Sequence, residues 1–397
     1  MLLSRCFKCM RDMASDHLGE IMKTLITSTG VFAAAAVLAA CGLSSTKRPT
    51  TSAGAALPKT ALGIAVSFLP SNPTASFTIG FADWDVIQRS LGFTTAALDA
   101  PHEYKAFGGL VNGLAPGLPS GNASFDLTAG DQPVWSVSDV SWDATESDPL
   151  GKRAPLAITG FRPQFALERV GQRLSGCGFA SHAVAGIMLY SATAAVAANC
   201  SGPFGGEIPM FNNYGLDAAD HLILMSTSAS AISAALRNRT AHASDPVLGS
   251  VLKALGEPSA FAASVGPRFC TALSNPSVFV GPKPTPSTIA QAATMYSVDT
   301  AYLGLGFGYT LSRKGAKVRL AMTYADPASA LGDLVPRQRV LETGRSILTN
   351  TLYSHLMRVE SGRADGRTLV FGIEQPAAGP VELGTMFDHS DLGFARC

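Results

Sequence analysis

Residues 303–324 read LGLGFGYTLSRKGAKVRLAMTY. Leu303, Leu305, Phe307, Tyr309 and Leu311 recur at every second position, and after a turn at Lys314-Gly315 the apolar set resumes at Val318, Leu320, Met322 and Tyr324. Alternation of period two on both sides of a turn predicts an antiparallel hairpin with one buried face. A second hairpin is predicted around Asp365-Gly366, with Leu369, Phe371 and Ile373 on one face. Further strands are expected at 76–82, 134–142, 156–160, 185–190, 221–225 and 260–265. Gly304, Gly306 and Gly308 occupy the opposite face of the first strand. A phosphate-binding glycine loop lies between a strand and a helix start, so glycines inside a strand point instead to close packing against a face without side chains.

Helices are marked by their caps. Asp245-Pro246 precedes Val247, Leu248, Val251, Leu252 and Leu255 and closes at Gly256, which gives an N-cap, a first-turn proline, one apolar face and a terminal glycine. Asp326-Pro327 repeats that opening, with a break or kink expected at Pro336. Leu167, Val170, Leu174 and Cys177 share a helical face, and Ser228 precedes Ile232, Ala235 and Leu236. Asp85 and Gln88 fit a capping box. Hairpins outnumber strict strand–helix alternation, which predicts an α+β fold of mostly antiparallel sheet with packed helices. The pattern admits two similar lobes, 61–206 and 207–397, divided at the Pro/Gly-rich stretch 201–209.

The N-terminal region carries an address. Met22 and Lys23 precede the apolar run Leu25–Leu38, which ends in Leu38-Ala39-Ala40-Cys41. The run is shorter than the ~20 apolar residues of a membrane-spanning helix, and small residues before a Cys resemble the lipobox of bacterial lipoproteins. The resemblance implies a signal peptide over 22–40 preceded by a surplus extension over 1–21, lipidation of Cys41, and an extracytoplasmic, membrane-anchored chain. Gly42 stands where inner-membrane lipoproteins often carry Asp. Residues 41–60, rich in Ser, Thr, Pro, Ala and Gly, read as a flexible tether. The run His221–Val265 resembles extracytoplasmic domains of bacterial lipoproteins, a resemblance that implies no activity.

The chain holds 30 basic and 29 acidic side chains, and residues 1–40 contain four and three of these, leaving 26 of each sign in the remainder. A neutral chain supplies no electrostatic footprint for nucleic acid. Beyond Cys41, four cysteines remain: Cys177, Cys200, Cys270 and Cys397. An even number in an exported chain implies two disulfides, with three connectivities open; Cys177–Cys200 and Cys270–Cys397 are the expected pairs, the second pinning the C-terminus.

Trp84, Trp135 and Trp142 are candidate ligand-lining residues. His102-Glu103 lacks the second His of a zinc helix. Asp217, Asp220 and His221, and Asp388, His389 and Asp391, are trios that could bind a cation, but a metal site needs ligands converging from several elements, and polar clusters at strand and loop edges usually meet only solvent. No metal or other cofactor is implied, and no nucleophile elbow is present. The expected function is binding of a ligand or protein partner at the cell envelope without catalysis. The alternatives are a solute-binding lipoprotein of a transporter and an envelope hydrolase.

Overall fold

The computed structural model describes residues 60–68, 76–111, 114, 134–135, 138–148, 153–199, 211–237, 245–266, 269–270, 285–287, 300–347, 349–376, 384, 386–387 and 389–397. The signal segment, Cys41, the tether up to residue 59, Cys200 and the stretch 201–209 lie outside the described residues.

The fold is α+β. In chain order the elements begin with α1 (Ala61–Phe68), β1 (Phe77–Asp83), α2 (Trp84–Leu91), α3 (Pro101–Val111), β2 (Val140–Ser147) and β3 (Leu156–Phe161). Next come α4 (Glu168–Gly176), β4 (Ala180–Val184), β5 (Ile187–Ser191), α5 (Ala194–Asn199), β6 (Asn213–Asp217), β7 (Leu222–Ser226) and α6 (Ala229–Arg237). Then follow α7 (Pro246–Leu255), β8 (Ala260–Val265), β9 (Gly304–Ser312), β10 (Gly315–Thr323) and α8 (Pro327–Thr343). The chain closes with α9 (Tyr353–Leu356), β11 (Arg358–Asp365) and β12 (Thr368–Pro376). Among the described residues all twelve strands join one sheet in the order β11-β12-β10-β9-β8-β1-β2-β3-β7-β6-β5-β4, and every pairing is antiparallel. Pairing of β3 with β7 and of β5 with β6 runs across the division drawn at 206/207, so the sheet is continuous through it.

The 303–324 stretch forms the hairpin β9–β10, with Tyr309 opposite Val318 and Phe307 opposite Leu320. Its apolar face enters a large core with Leu369, Phe371 and Ile373 of β12. The glycine face receives α7. A Cβ on Gly304 would stand 2.6 Å from Val247 Cγ1, and one on Gly306 would stand 2.5 Å from Val251 Cγ1. The glycines therefore exist to let a helix approach. Asp245 caps α7 by accepting from Val247 N (2.8 Å) and Leu248 N (2.9 Å). On this second face α7 joins α1 and α6 in burying Phe77, Ile79, Phe81, Phe261 and Leu224. Helices thus cover both faces of an antiparallel sheet, where one covered face is the commoner arrangement.

Two local readings shift. Asp83, not Asp85, caps α2 by accepting from Val86 N at 2.9 Å. Asp85 and Gln88 instead hold Arg162, at 2.7 Å each. Pro336 does not break α8, which continues to Thr343. The carbonyl that loses its amide partner to Pro336 belongs to Gly332, on the exposed side of the helix.

The inner side of α8 carries a buried ion pair, Asp333–Arg337, at 2.7 Å. Tyr324 donates to the same Asp333 oxygen at 2.5 Å. Arg337 also donates to the carbonyls of Phe394 (2.8 Å), Thr300 (3.0 Å) and Arg396. Cys270 and Cys397 are joined in a disulfide. The C-terminal residues are thereby stitched into the core, where Phe394 and Phe387 pack edge-on to Phe307.

At the end of β2, Glu146 is buried with Arg153 at 3.0 Å, while its Oε2 has no partner. Burial raises its pKa from the ordinary 4.5 to about 7, Arg153 opposing the shift. The folded state holds this proton more tightly than the unfolded chain. The associated stability is present at pH values below about 4.5 and is lost as pH rises through about 7.

Two stability measurements follow. Gly306→Ala lowers thermal stability by about 1–3 kcal/mol through overpacking against Val251, whereas Gly332→Ala, where a Cβ meets nothing within 4 Å, raises it by about 0.5–1 kcal/mol; equal effects would refute the close-approach role of the β9 glycines. Between pH 4.5 and 7 the wild type loses up to about 3 kcal/mol from Glu146. Melting curves of Glu146→Gln lack that contribution, and coincident pH profiles for the two proteins would assign the slope to other groups.

Candidate functional site

The three tryptophans do not converge. Trp84 is 1% exposed and lies in the core on one face of the sheet, its Nε1 donating to Asp143 Oδ2 at 3.0 Å. Thr159 donates to the other Asp143 oxygen at 2.6 Å. Trp142 packs on the opposite face, beside Phe81 and over Gly160, whose missing Cβ leaves room for the indole. Trp135 is half-buried, edge-on to Phe161 at 5.5 Å. Alternation along β2 sends Asp143 and Trp142 to opposite sides, so an indole binding surface built from all three is excluded by the register.

The polar clusters are structural fasteners. Arg162, buried at the end of β3, holds Asp85, Gln88 and the Ser138 carbonyl. Its own carbonyl bonds His221 Nε2 at 2.9 Å. Asp217 accepts from the amides of Ala219 (3.0 Å) and Asp220 (3.1 Å), forming the turn between β6 and β7. Asp391 is bonded to Ser346 (2.5 Å) and Ile347 N (2.6 Å). Among the described residues no three His, Cys, Asp or Glu side chains are grouped to hold a metal ion. Cys177 is disulfide-bonded and packs against the core at the end of α4.

A groove that brings polar and apolar groups together lies between the α2–α3 segment and the tip of the β9–β10 hairpin. It encloses about 450 Å3 and is lined by Leu91, Phe93, Thr94, Glu103, Leu110 and Arg313, among others. Gly92 ends α2 in the left-handed conformation, φ +73°, and Arg313 lies directly over it. Arg313 Nε donates to Leu91 O at 2.7 Å and Nη2 to Gly92 O at 3.0 Å. The cation therefore sits at the negative end of the α2 dipole, which favours it there. Two of its five N–H donors are used in these bonds, so the guanidinium is positioned with donors left over. Phe93 is braced edge-on by Phe107 at 5.3 Å. The groove pairs one fixed cation with an apolar wall, and the Glu103 carboxylate on its rim opposes entry of a multiply charged anion.

No sequence signal marked Arg313, because its partners Leu91 and Gly92 stand more than 220 residues earlier in the chain. A second hollow of about 330 Å3 lies over Gly308 and Gly372, rimmed by Glu257, Lys317, Arg319 and Glu360.

No protein-family model matches the chain, and no curated protein matches it. Among solved structures it is similar to crystal forms I, III and IV of TP0453, with TM-scores of 0.36, 0.39 and 0.39 at 12%, 10% and 11% identity. These alignments cover 82–83% of this chain and 96–98% of the other.

Proposed function

We propose that this chain is a lipid-anchored extracytoplasmic protein that holds a small ligand or a partner without transforming it. The observation that carries the anchoring is the tetrapeptide Leu38-Ala39-Ala40-Cys41 at the end of an apolar run too short to span a bilayer. One feature supports the compartment. Cys270 and Cys397 are oxidised to a disulfide, the state favoured outside the reducing cytosol. Among the described residues no helix is long and apolar enough to cross a membrane.

The binding site of this reading is the Arg313 groove. Its chemistry suits a molecule with an apolar body against Leu91, Phe93 and Leu110 and one anionic group on the guanidinium. The buried carboxylates Asp143, Asp333 and Asp391 are committed to bonds that join elements of the fold. The transporter-associated alternative calls for two lobes closing about a hinge, whereas the twelve strands form one uninterrupted sheet.

Metabolic labelling with palmitate in a bacterial host tests the anchor. The wild type takes up label and partitions with membranes, while Cys41→Ser loses both; an unlabelled wild-type chain that retains residues 1–40 would overturn the reading. Titration calorimetry with decanoate, below its micelle concentration, tests the groove. Arg313→Gln weakens binding by about tenfold, the worth of one charge-assisted bond, and identical isotherms would remove Arg313 from the site.

A further inference from the structure

We infer that the outer face of α8 is the surface by which the folded body rests on a lipid bilayer, an inference that depends on the Cys41 anchor proposed above. Along α8 the exposed positions are Pro327, Ala328, Leu331, Gly332, Val335 and Pro336, followed by Arg339, Glu342 and Thr343. The spacing of three and four residues places them on one stripe of the helix. Over its first two and a half turns that stripe carries no charge. Leu331 is 65% exposed and Val335 63%, the two most exposed large hydrophobic side chains among the described residues.

Helices on soluble domains ordinarily turn such a stripe inward. Here the inward side is taken by Asp333 and Arg337, 1% and 0% exposed at the side chain and one turn apart. Their bonds to Tyr324 and to the carbonyls of Thr300, Phe394 and Arg396 fix the rotation of α8 about its axis. Rolling the helix to bury Leu331 and Val335 would draw a bonded ion pair out of its partners, and breaking one side of a buried pair is strongly unfavourable. The apolar stripe is therefore held outward by the same network that closes the core.

The tether names the occupant. Nineteen residue steps separate Cys41 from Thr60. At ~3.3–3.6 Å each they reach at most about 68 Å. α1, where the described chain begins, packs on the sheet face opposite the core that α8 completes. With layers spaced ~10 Å apart, the stretch of chain from Cys41 is long enough to pass around the sheet and let α8 meet the membrane that holds the lipid. The apolar stripe matches the acyl boundary, and the oppositely charged Arg339 and Glu342 that follow it fall at the headgroup level. With 26 charges of each sign beyond residue 40, the body is not repelled from an anionic surface as a whole.

Lipidated full-length protein in phosphatidylcholine–phosphatidylglycerol vesicles with brominated acyl chains provides the test. Leu331→Trp reports the α8 face and Lys253→Trp, on α7 at the other face, is the control; wild-type emission from the three native tryptophans is subtracted. The proposal expects the Leu331→Trp emission to move to the blue and to be quenched at least twofold more than that of Lys253→Trp. Floating vesicles with equal quenching at both positions overturn the docking surface and leave the anchor standing. Failure of the protein to float overturns both. Protection of Leu331→Trp that depends on protein concentration and not on bromination assigns the stripe to a second copy of the chain, and the bilayer proposal falls.

Discussion

The guanidinium of Arg337 is the junction on which much of the second half of the molecule depends. It is fully buried, and a single cation there needs its charge and its donors satisfied together. Asp333 supplies the charge, and three carbonyls from two separate segments take the donors. These three acceptors are backbone positions, so the arginine fixes where the chain goes and not merely which side chains meet. Phe394 is held where its ring packs on Phe307 and Tyr353. Arg396 repeats the device by donating to Phe269 O at 3.2 Å and Ser390 O at 2.6 Å. The C-terminal segment thus roofs the face of β9 and β10 that the hairpin sequence leaves apolar.

The two faces of the sheet meet the need for cover differently. On the side of the C-terminal roof, large side chains from the strands meet large side chains from helices and tail. On the other, Gly304, Gly306 and Gly308 withdraw the strand surface so that Val247, Val251 and Leu255 of α7 sit against the backbone itself. Shape, and not a greater amount of apolar surface, joins that helix to the sheet. A face of bare backbone is accessible to a helix that brings branched side chains, and α7 does so with a tight cap at its start.

What could be read from the chain in advance was whatever is encoded within a few residues. The hairpin at 303–324 and the Asp245-Pro246 helix are local patterns, and the structure keeps them almost residue for residue. The β2 frame was misplaced towards residue 134 because Asp143 and Glu146 interrupt its apolar rhythm. Their burial makes sense only with Trp84, Thr159 and Arg153 in place, the nearest of which is seven residues away. β4 and β6 are short and carry Ser, His, Asn and Gly, a composition that reads as loop. The site was less legible than the fold. Tryptophan is conspicuous in sequence, but its position on a strand decides the face it occupies, and Trp84 and Trp142 fall on opposite sides of a sheet whose order no local pattern discloses. Arg313 carries no local signal, and only the sheet brings the hairpin tip against α2.

The strand order also explains why a sheet this wide ends cleanly. β1, the first strand among the described residues, lies mid-sheet between β2 and β8, so the sheet grows outward on both sides and finishes at β11 and β4. Unpaired strand edges recruit further strands unless something discourages them. β11 presents Arg358, Glu360, Arg363 and Asp365, carries an irregularity between Val359 and Ser361, and has α8 packed beside it. β4 has none of those charges and is only five residues long, Ala180–Val184, which limits how many ladder bonds an added strand could gain. The guarded edge is the one beside α8. A body resting on α8 would bring β11 close to the lipid surface, where water is scarcer and an unprotected row of amides and carbonyls would be most costly; the charges and the bulge stand where that cost would otherwise fall.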